Sequence, residues 1–276
     1  MIIVRPKRRE KSPAVFFWSK KSRRRRLLAE PFPDDWLRIL DCNVRQYALL
    51  PTAQQTRLRD RLRVFVAEKE WTGCDGLEVT DEMKVTIAAQ ACLLVLGIDY
   101  EYHYDRIQTV LIYPGTYLHS LQTRGGLVQG QKAIHGEYWH RGPVIISWKN
   151  TGSDETRGGN LVFHEFAHHL DDLDGAMDGT PPLESGEPMR RWHQVVDAEY
   201  RRLVRDSNRG EPTLLDEYGA QSPAEFFAVA TECFFERPIA LRARHNDLYS
   251  VLRDFYHQDP ADWPWPPSDR FQAQGH

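Results

Sequence analysis

The sequence predicts an α+β fold: a single, mostly helical domain with a small β-sheet. Three observations support this prediction. Apolar residues recur at helical spacing through most of the chain, and two short β-rich runs interrupt them. The segment directly after the second run is again helical in pattern and contains His-Glu-Phe-Ala-His. The 276 residues are 41% hydrophobic and 27% charged, which is typical of a globular protein with a sizeable core.

Three parts of the chain differ in composition. Residues 1–30 hold eleven Lys and Arg against two Glu, whereas the other residues carry a net charge of −12. We expect this basic arm to be disordered. It could contact nucleic acid or anionic lipid, or it could simply be solvated. Residues 31–258 form the expected domain, and residues 259–276 form a tail rich in Pro and Trp.

Helical periods and turn residues divide the expected domain into elements. Before the first β-rich run, the sequence predicts helices at 34–50, 52–70 and 82–96, with a turn at 72–77. Strands are predicted at 107–113 and 144–148, with a hairpin or irregular strand in 125–136. A helix then begins at Leu161 with Asn160 as its N-cap, and Asp174-Gly175 ends it. After a loop at 178–188, further helices are predicted at 189–206, 222–235 and 239–256.

The helix that follows the second strand carries a metal-binding motif. His164 and His168 are four residues apart and project from one face, so their imidazoles can hold one Zn²⁺ ion. Glu165 lies to one side, where its carboxylate can take a proton from water. The alternative is a pair of ordinary surface histidines, but a polar pair in an apolar helix is costly without a partner. His169 lies about 100° around the helix and is expected at the surface or behind a ligand.

Two histidines leave a catalytic zinc site incomplete, and the third ligand must come from another segment. Glu225 and Glu232 share one face of an apolar helix. Ser222-Pro-Ala-Glu225 also fits a capping box, so capping and zinc binding are equally good interpretations of Glu225. Glu232 could bind metal or orient a histidine. Asp171 and Asp172 could hydrogen-bond His168 or bind metal.

Other classes of protein are disfavoured. The longest apolar stretch, residues 88–98, is too short and too interrupted for a membrane span, which needs about 18 residues. The four cysteines are far apart and form no Cys-x-x-Cys pair, which argues against a disulfide framework or a thiolate zinc knuckle. We therefore expect a cytoplasmic protein.

Four blocks of sequence resemble the Mlc titration factor A family of zinc-dependent peptidases, whose zincin-type site is similar to that of anthrax lethal factor. The blocks are residues 108–114, 142–148, 160–171 and 218–229. The resemblance covers about residues 30 to 258 and leaves out the basic arm.

The resemblance implies roles that helix patterns alone leave open. It implies that Glu225 is the third zinc ligand beside His164 and His168. It also implies that Tyr218 faces the open coordination position, where its phenol can stabilise an oxyanion. It implies aminopeptidase-type activity on peptide or protein substrates and binding to a transcriptional repressor of the Mlc type. The alternative function is a non-catalytic, zinc-containing regulator that sequesters a transcription factor.

Overall fold

The computed structural model describes residues 19–98, 102, 104–115, 142–151 and 159–267. The chain divides into two compact units, residues 1–31 and residues 32–276. In the first unit, residues Lys20–Ala29 form helix α1, and the Ser19 hydroxyl caps it by accepting a hydrogen bond from the backbone N–H of Ser22. The expectation of disorder across residues 1–30 is therefore wrong for this segment. Residues 1–18 lie outside the described part.

The described part of the second unit is mostly helical, which confirms the predicted α+β class. Its α-helices are α2 (Asp34–Asn43), α3 (Arg45–Leu49), α4 (Thr52–Glu68), α5 (Asp81–Leu94), α6 (Leu161–Asp171), α7 (Glu187–Asn208), α8 (Pro223–Glu236), α9 (Pro238–Arg244) and α10 (Asn246–Tyr256).

Two predicted helices are each divided in the structure. The segment 34–50 breaks at Val44, where φ is −126°, and the segment 239–256 breaks at His245, where φ is −138°. Both values lie outside the helical range, so the chain changes direction at these residues. Neither break involves Gly or Pro, and the apolar period continues across each one. The sequence therefore predicted that both segments are helical, but it did not predict the break in either one.

The sheet contains three described strands, all parallel, in the order β1 (Glu70–Gly73), β2 (Thr109–Tyr113) and β3 (Val144–Ser147). In the register, Trp71 lies opposite Val110, and Ile112 lies opposite Ile146. Parallel strands need a crossover, and α5 lies in the connection between β1 and β2.

Strand β1 corrects the predicted turn at 72–77. The turn is confined to Asp75 and Gly76, and the residues before it pair with β2. The hairpin or irregular strand expected in 125–136 lies outside the described residues.

Helix α6 lies at the centre of the second unit and packs against α5, α8 and β3. The Phe166 ring lies 5.7 Å from the Phe65 ring and 4.9 Å from the Tyr104 ring, centroid to centroid. On another face, Phe163 lies 5.3 Å from Phe235 of α8. These aromatic contacts fix the rotation of α6, so His164 and His168 face α8.

The segment after Asp259 belongs to the packed core. A short 3₁₀ turn spans Pro260–Asp262, and the side chains of Trp263 and Trp265 are buried behind it. The Trp265 indole donates a 2.6 Å hydrogen bond to the carbonyl of Pro260. The domain therefore extends past the boundary expected at residue 258, at least as far as Trp265.

Candidate metal centre

The two motif histidines lie side by side on α6. The Asn160 side chain caps this helix and accepts hydrogen bonds from the N–H groups of Val162 and Phe163, at 3.1 and 3.3 Å. Nε2 of His164 and Nε2 of His168 are 3.1 Å apart, and both side chains are buried. The four-residue spacing thus produces the paired imidazoles that the sequence predicted.

Glu225 of α8 meets both histidines. Its Oε2 lies 3.0 Å from Nε2 of His164 and 3.3 Å from Nε2 of His168. Its backbone N–H meanwhile donates a 3.2 Å hydrogen bond to the hydroxyl of Ser222, the N-cap of α8. Ser222 therefore caps the main chain at Glu225, whereas the Glu225 carboxylate faces the imidazoles. Among the described contacts, this carboxylate does not reach back to the Ser222 backbone, so the capping-box interpretation of the side chain is wrong.

The environment of these three residues attracts positive charge. Burial alone lowers the pKa of His164, but hydrogen bonds to Glu225 and Glu232 and the negative charges nearby raise that pKa well above its ordinary value. Burial opposes ionisation of Glu225, yet the hydrogen bonds and charges of His164 and His168 lower its pKa to about 2. The His164 imidazole, which lies between two carboxylates, is therefore a site for a proton or for a metal cation.

The donor atoms fit a divalent metal ion. One ligand atom from each of His164, His168 and Glu225 lies within 4.8 Å of the others. Two imidazole nitrogens and one carboxylate oxygen form a common ligand set for a catalytic metal that keeps a further position open. Within the described ranges, no other His, Cys, Asp or Glu joins this cluster.

Glu165 is buried beside the cluster. Its Oε1 has no hydrogen-bond partner within the described part of the chain. Burial raises the pKa of Glu165, and the charges of His164 and His168 lower it in part. A desolvated carboxylate of raised pKa accepts protons more readily than an ordinary Glu, as a general base requires.

Tyr218 lies at the entrance to α8, in a short 3₁₀ turn that spans Glu217–Ala220. The Asp216 side chain starts this turn by accepting a 2.8 Å hydrogen bond from the Tyr218 N–H. The Tyr218 ring centroid lies 5.8 Å from that of His164. Burial, followed by the charges of Glu225 and Glu165, raises the pKa of Tyr218 to about 12. The phenol therefore keeps its proton at neutral pH and can donate a hydrogen bond.

A buried polar network lies behind His164. Nδ1 of His164 is 2.7 Å from Oε1 of Glu232, whose Oε2 accepts a 2.5 Å hydrogen bond from the backbone N–H of Asn160. The Asn160 side-chain amide donates to Glu236 at 2.9 Å. Glu232 thus takes the orienting position that the sequence allowed. Glu236 was missed, because a carboxylate one turn further along α8 is not distinctive without its partner.

Three other candidates lie outside the ligand cluster. Oδ2 of Asp171 accepts a hydrogen bond from the Gly179 N–H, and its Oδ1 has no partner among the described residues, so it makes no hydrogen bond to His168. The carbonyl of Asp172 accepts a 3.0 Å hydrogen bond from Arg106. His169 is buried, so the surface position that the sequence allowed is wrong. Its ring centroid lies 6.2 Å from that of Tyr104. Burial lowers the pKa of His169 to about 4.

A helix that bears His-Glu-x-x-His, with a carboxylate from a second helix, has the arrangement of a metallopeptidase site. Comparison with known families agrees with this class. Residues 18–257 match the sequence model of the family described as glucose-regulated metallo-peptidase M90, and the chain belongs to that family. The match begins twelve residues before the resemblance inferred at residue 30, so it includes α1.

Similar proteins come from several bacteria. An uncharacterized protein of Synechocystis sp. is 38% identical over 245 residues, which cover 86% of this chain and 89% of that protein. Mlc titration factor A of Klebsiella pneumoniae is 32% identical over 219 residues, covering 77% and 82%. Mlc titration factor A of Escherichia coli is 30% identical over 217 residues, covering 76% and 82%.

A helix that spans a membrane must be both long and apolar. In the part of the chain that the structure describes, no helix combines the two properties.

Proposed function

We propose that this protein is a zinc-dependent metallopeptidase in which His164, His168 and Glu225 hold one Zn²⁺ ion. The observation that carries the proposal is the convergence of their three ligand atoms within 4.8 Å, with Glu165 buried alongside. Zinc is the metal that this donor set favours, since it accepts imidazole nitrogen and carboxylate oxygen in a four-coordinate site. When bound, Zn²⁺ supplies Lewis acidity, which polarises a peptide carbonyl and makes water more acidic.

The protein's own residues supply the proton transfers and the hydrogen bonding. Glu165 takes a proton from the attacking water and passes it to the leaving amine. The raised pKa of the Glu165 carboxyl suits both steps, because the proton is held between them. Tyr218 donates a hydrogen bond to the oxygen of the scissile carbonyl as negative charge develops there.

Two experiments test this proposal. Zinc is removed with a chelator and added back while hydrolysis of a broad peptide library is followed. We expect one equivalent of zinc per chain and activity only in its presence. Glu165→Gln is expected to bind zinc like the wild type and to lower kcat by roughly 10²- to 10⁴-fold. Unchanged turnover in Glu165→Gln would disprove the assignment of the base.

We further propose aminopeptidase-type cleavage, which rests on the family resemblance. Peptides with a free amino terminus are expected to be cleaved, and the same peptides with an acetylated amino terminus are expected to resist. Equal cleavage of both sets would make the enzyme an endopeptidase.

The free state of all four cysteines supports a cytoplasmic location, which cell fractionation tests.

The second candidate function is regulation through a transcriptional repressor. Relatives at 30–32% identity carry the name Mlc titration factor A, which supports a partner of the Mlc type. Binding of such a repressor to wild type and to Glu165→Gln is compared by calorimetry. Equal binding, together with one zinc per chain and no hydrolysis of any peptide, favours the non-catalytic regulator. Hydrolysis without repressor binding favours the peptidase alone.

A further inference from the structure

The loop between α6 and α7 contacts both helices at one residue, Gly179. The Gly179 N–H donates a 2.9 Å hydrogen bond to Oδ2 of Asp171, the last residue of α6. The Gly179 carbonyl accepts a 3.1 Å hydrogen bond from the indole of Trp192 in α7. Asp171 and Trp192 are both buried, so this loop is held from two sides at its Gly.

The same residue lies directly against the first residue of α8. A Cβ atom on Gly179 would lie 2.4 Å from the carbonyl oxygen and 2.7 Å from the carbonyl carbon of Pro223. Gly179 also has a φ of +83°, a backbone conformation that residues with a side chain adopt only with strain. Glycine is therefore favoured at this position for two reasons. Because the atoms in the way belong to the backbone, a side chain at residue 179 can be accommodated only by moving the start of α8 or the loop.

These contacts connect the two halves of the metal centre. Asp171 lies three residues after His168 on α6, and Pro223 lies two residues before Glu225 on α8. From Asp171 to Gly179 the link is a hydrogen bond, and from Gly179 to Pro223 it is close packing. Asp171 thereby acquires a function in the structure although it lies outside the ligand cluster.

We propose that Asp171 and Gly179 are positioning residues, which hold the first turn of α8 against α6 so that Glu225 reaches His164 and His168. This inference rests on the proposed role of Glu225 as a metal ligand. Displacing the start of α8 by a few tenths of an ångström moves the Glu225 carboxylate relative to both imidazoles. Metal affinity depends on this distance, because ligand atoms must all lie about 2.0–2.2 Å from one ion.

The chain offers a matched control in the same loop. Gly175 also has a positive φ, +95°, but a Cβ atom there would meet nothing within 4 Å. Gly175→Ala and Gly179→Ala therefore impose similar backbone strain, and only Gly179→Ala presses on α8. The dissociation constant for Zn²⁺ is measured by chelator competition, and the absorption spectrum of bound Co²⁺ reports the ligand geometry.

We expect Gly179→Ala to weaken Zn²⁺ binding about tenfold or more and to change the Co²⁺ spectrum, as loss of a supporting contact does at other metal sites. Gly175→Ala is expected to bind Zn²⁺ within about twofold of the wild type, and to keep its Co²⁺ spectrum. Equal affinity and equal spectra in the two variants would overturn the proposal.

A second pair of variants covers the case in which Gly179→Ala does not fold, which circular dichroism of the metal-free protein shows. Asp171→Ala removes the acceptor for the Gly179 N–H without introducing a clash. Asp171→Asn keeps an oxygen in that position. We expect Asp171→Ala to weaken Zn²⁺ binding and Asp171→Asn to restore most of the affinity. Equal affinity in wild type, Asp171→Ala and Asp171→Asn would overturn the proposal.

Failure of the proposed function has a different result. If Glu225→Gln binds Zn²⁺ as tightly as the wild type, Glu225 is not a ligand and the basis of this inference is lost. If Glu225→Gln weakens binding while the Gly179 and Asp171 variants leave it unchanged, only the positioning role is rejected.

Discussion

Oε1 of Glu232 lies 2.7 Å from Nδ1 of His164, on the side of the imidazole opposite Glu225. A carboxylate in this position fixes the ring orientation and the tautomer, so that Nε2 is free to act as a ligand. The second oxygen of Glu232 is already used by the backbone N–H of Asn160. Both oxygens must therefore accept, which a carboxylate does and a side-chain amide cannot.

This geometry predicts that Glu232→Gln weakens Zn²⁺ binding about 10- to 100-fold. The NH₂ group of the glutamine would have to face either Nδ1 of His164 or the backbone N–H of Asn160, and both of these are donors. Chelator competition measures the affinity independently of turnover. Glu236→Gln is the matched control on the same helix, since one Glu236 oxygen accepts from Asn160 and the other has no hydrogen-bond partner among the described residues. An equal loss of affinity in both variants would show that buried charge, rather than orientation of His164, is responsible.

The coexistence of capping and ligand geometry at Glu225 predicts two separable effects. Ser222→Ala removes the acceptor for the Glu225 N–H and is expected to lower the free energy of unfolding of the metal-free protein by about 1 kcal/mol. Its Zn²⁺ affinity is expected to stay near that of the wild type. Glu225→Gln, in contrast, is expected to weaken Zn²⁺ binding strongly, because it changes a ligand. Urea unfolding measures the stability of both variants, and chelator competition measures their Zn²⁺ affinity. A large loss of Zn²⁺ affinity in Ser222→Ala, equal to that of Glu225→Gln, contradicts this separation.

The motif helix was largely predictable because its signals are local. Asn160 is a good N-cap, the apolar period starts at Leu161, and α6 begins at that residue with that cap. After α6, a short 3₁₀ turn leads to Gly175, whose φ of +95° ends the helical segment near the predicted Asp174-Gly175. The four-residue spacing of His164 and His168 fixes their mutual geometry in any regular helix.

Features that depend on distant partners were not predictable in the same way. Strand β1 is recognisable as a strand only through its pairing with β2, and its sequence, Glu-Trp-Thr-Gly, resembles the start of a turn. The contact between Gly179 and Pro223 joins residues 44 positions apart, and nothing in either local sequence indicates it. The placement of Glu225 beside the histidines was equally open, since its local sequence fits a helix cap as well.

Tyr218 is expected to act on the rate of reaction rather than on metal binding. With a pKa of about 12, its phenol is protonated at working pH and can donate to a developing oxyanion. Tyr218→Phe should lower kcat by about 10²- to 10³-fold, as removal of one such donor does, with Zn²⁺ affinity unchanged. Tyr200→Phe is the control, because Tyr200 of α7 packs on Phe226 of α8 and its hydroxyl donates to the Ala220 carbonyl. A similar loss of kcat in Tyr200→Phe would indicate general disturbance of α8.

Glu199 predicts a pH dependence of stability away from the metal centre. Oε2 of Glu199, in α7, lies 2.7 Å from Nδ1 of His245, the N-cap residue of α10. This contact links the two helices. Burial raises the pKa of Glu199, but the hydrogen bond and charge of His245 and the charge of Arg202 outweigh it, so the net shift is downward. A carboxyl group whose pKa is lower in the folded state stabilises the fold above its unfolded pKa, which is about 4.3. That stabilisation is lost as the pH falls below 4.3 and through the folded pKa.

Glu199→Gln should therefore be less stable than the wild type at pH 7, and the difference should shrink as the pH is lowered from about 4.3 towards 3. Urea unfolding at pH 7, 5 and 3 measures the free energy of unfolding of both proteins. Asp197→Asn, on the exposed face of the same helix, is the control and should show a small difference at every pH, because its pair with Arg201 is solvated. A difference between Glu199→Gln and wild type that stays constant from pH 7 to pH 3 would mean that the Glu199 charge contributes nothing, and that only the shape of the side chain matters.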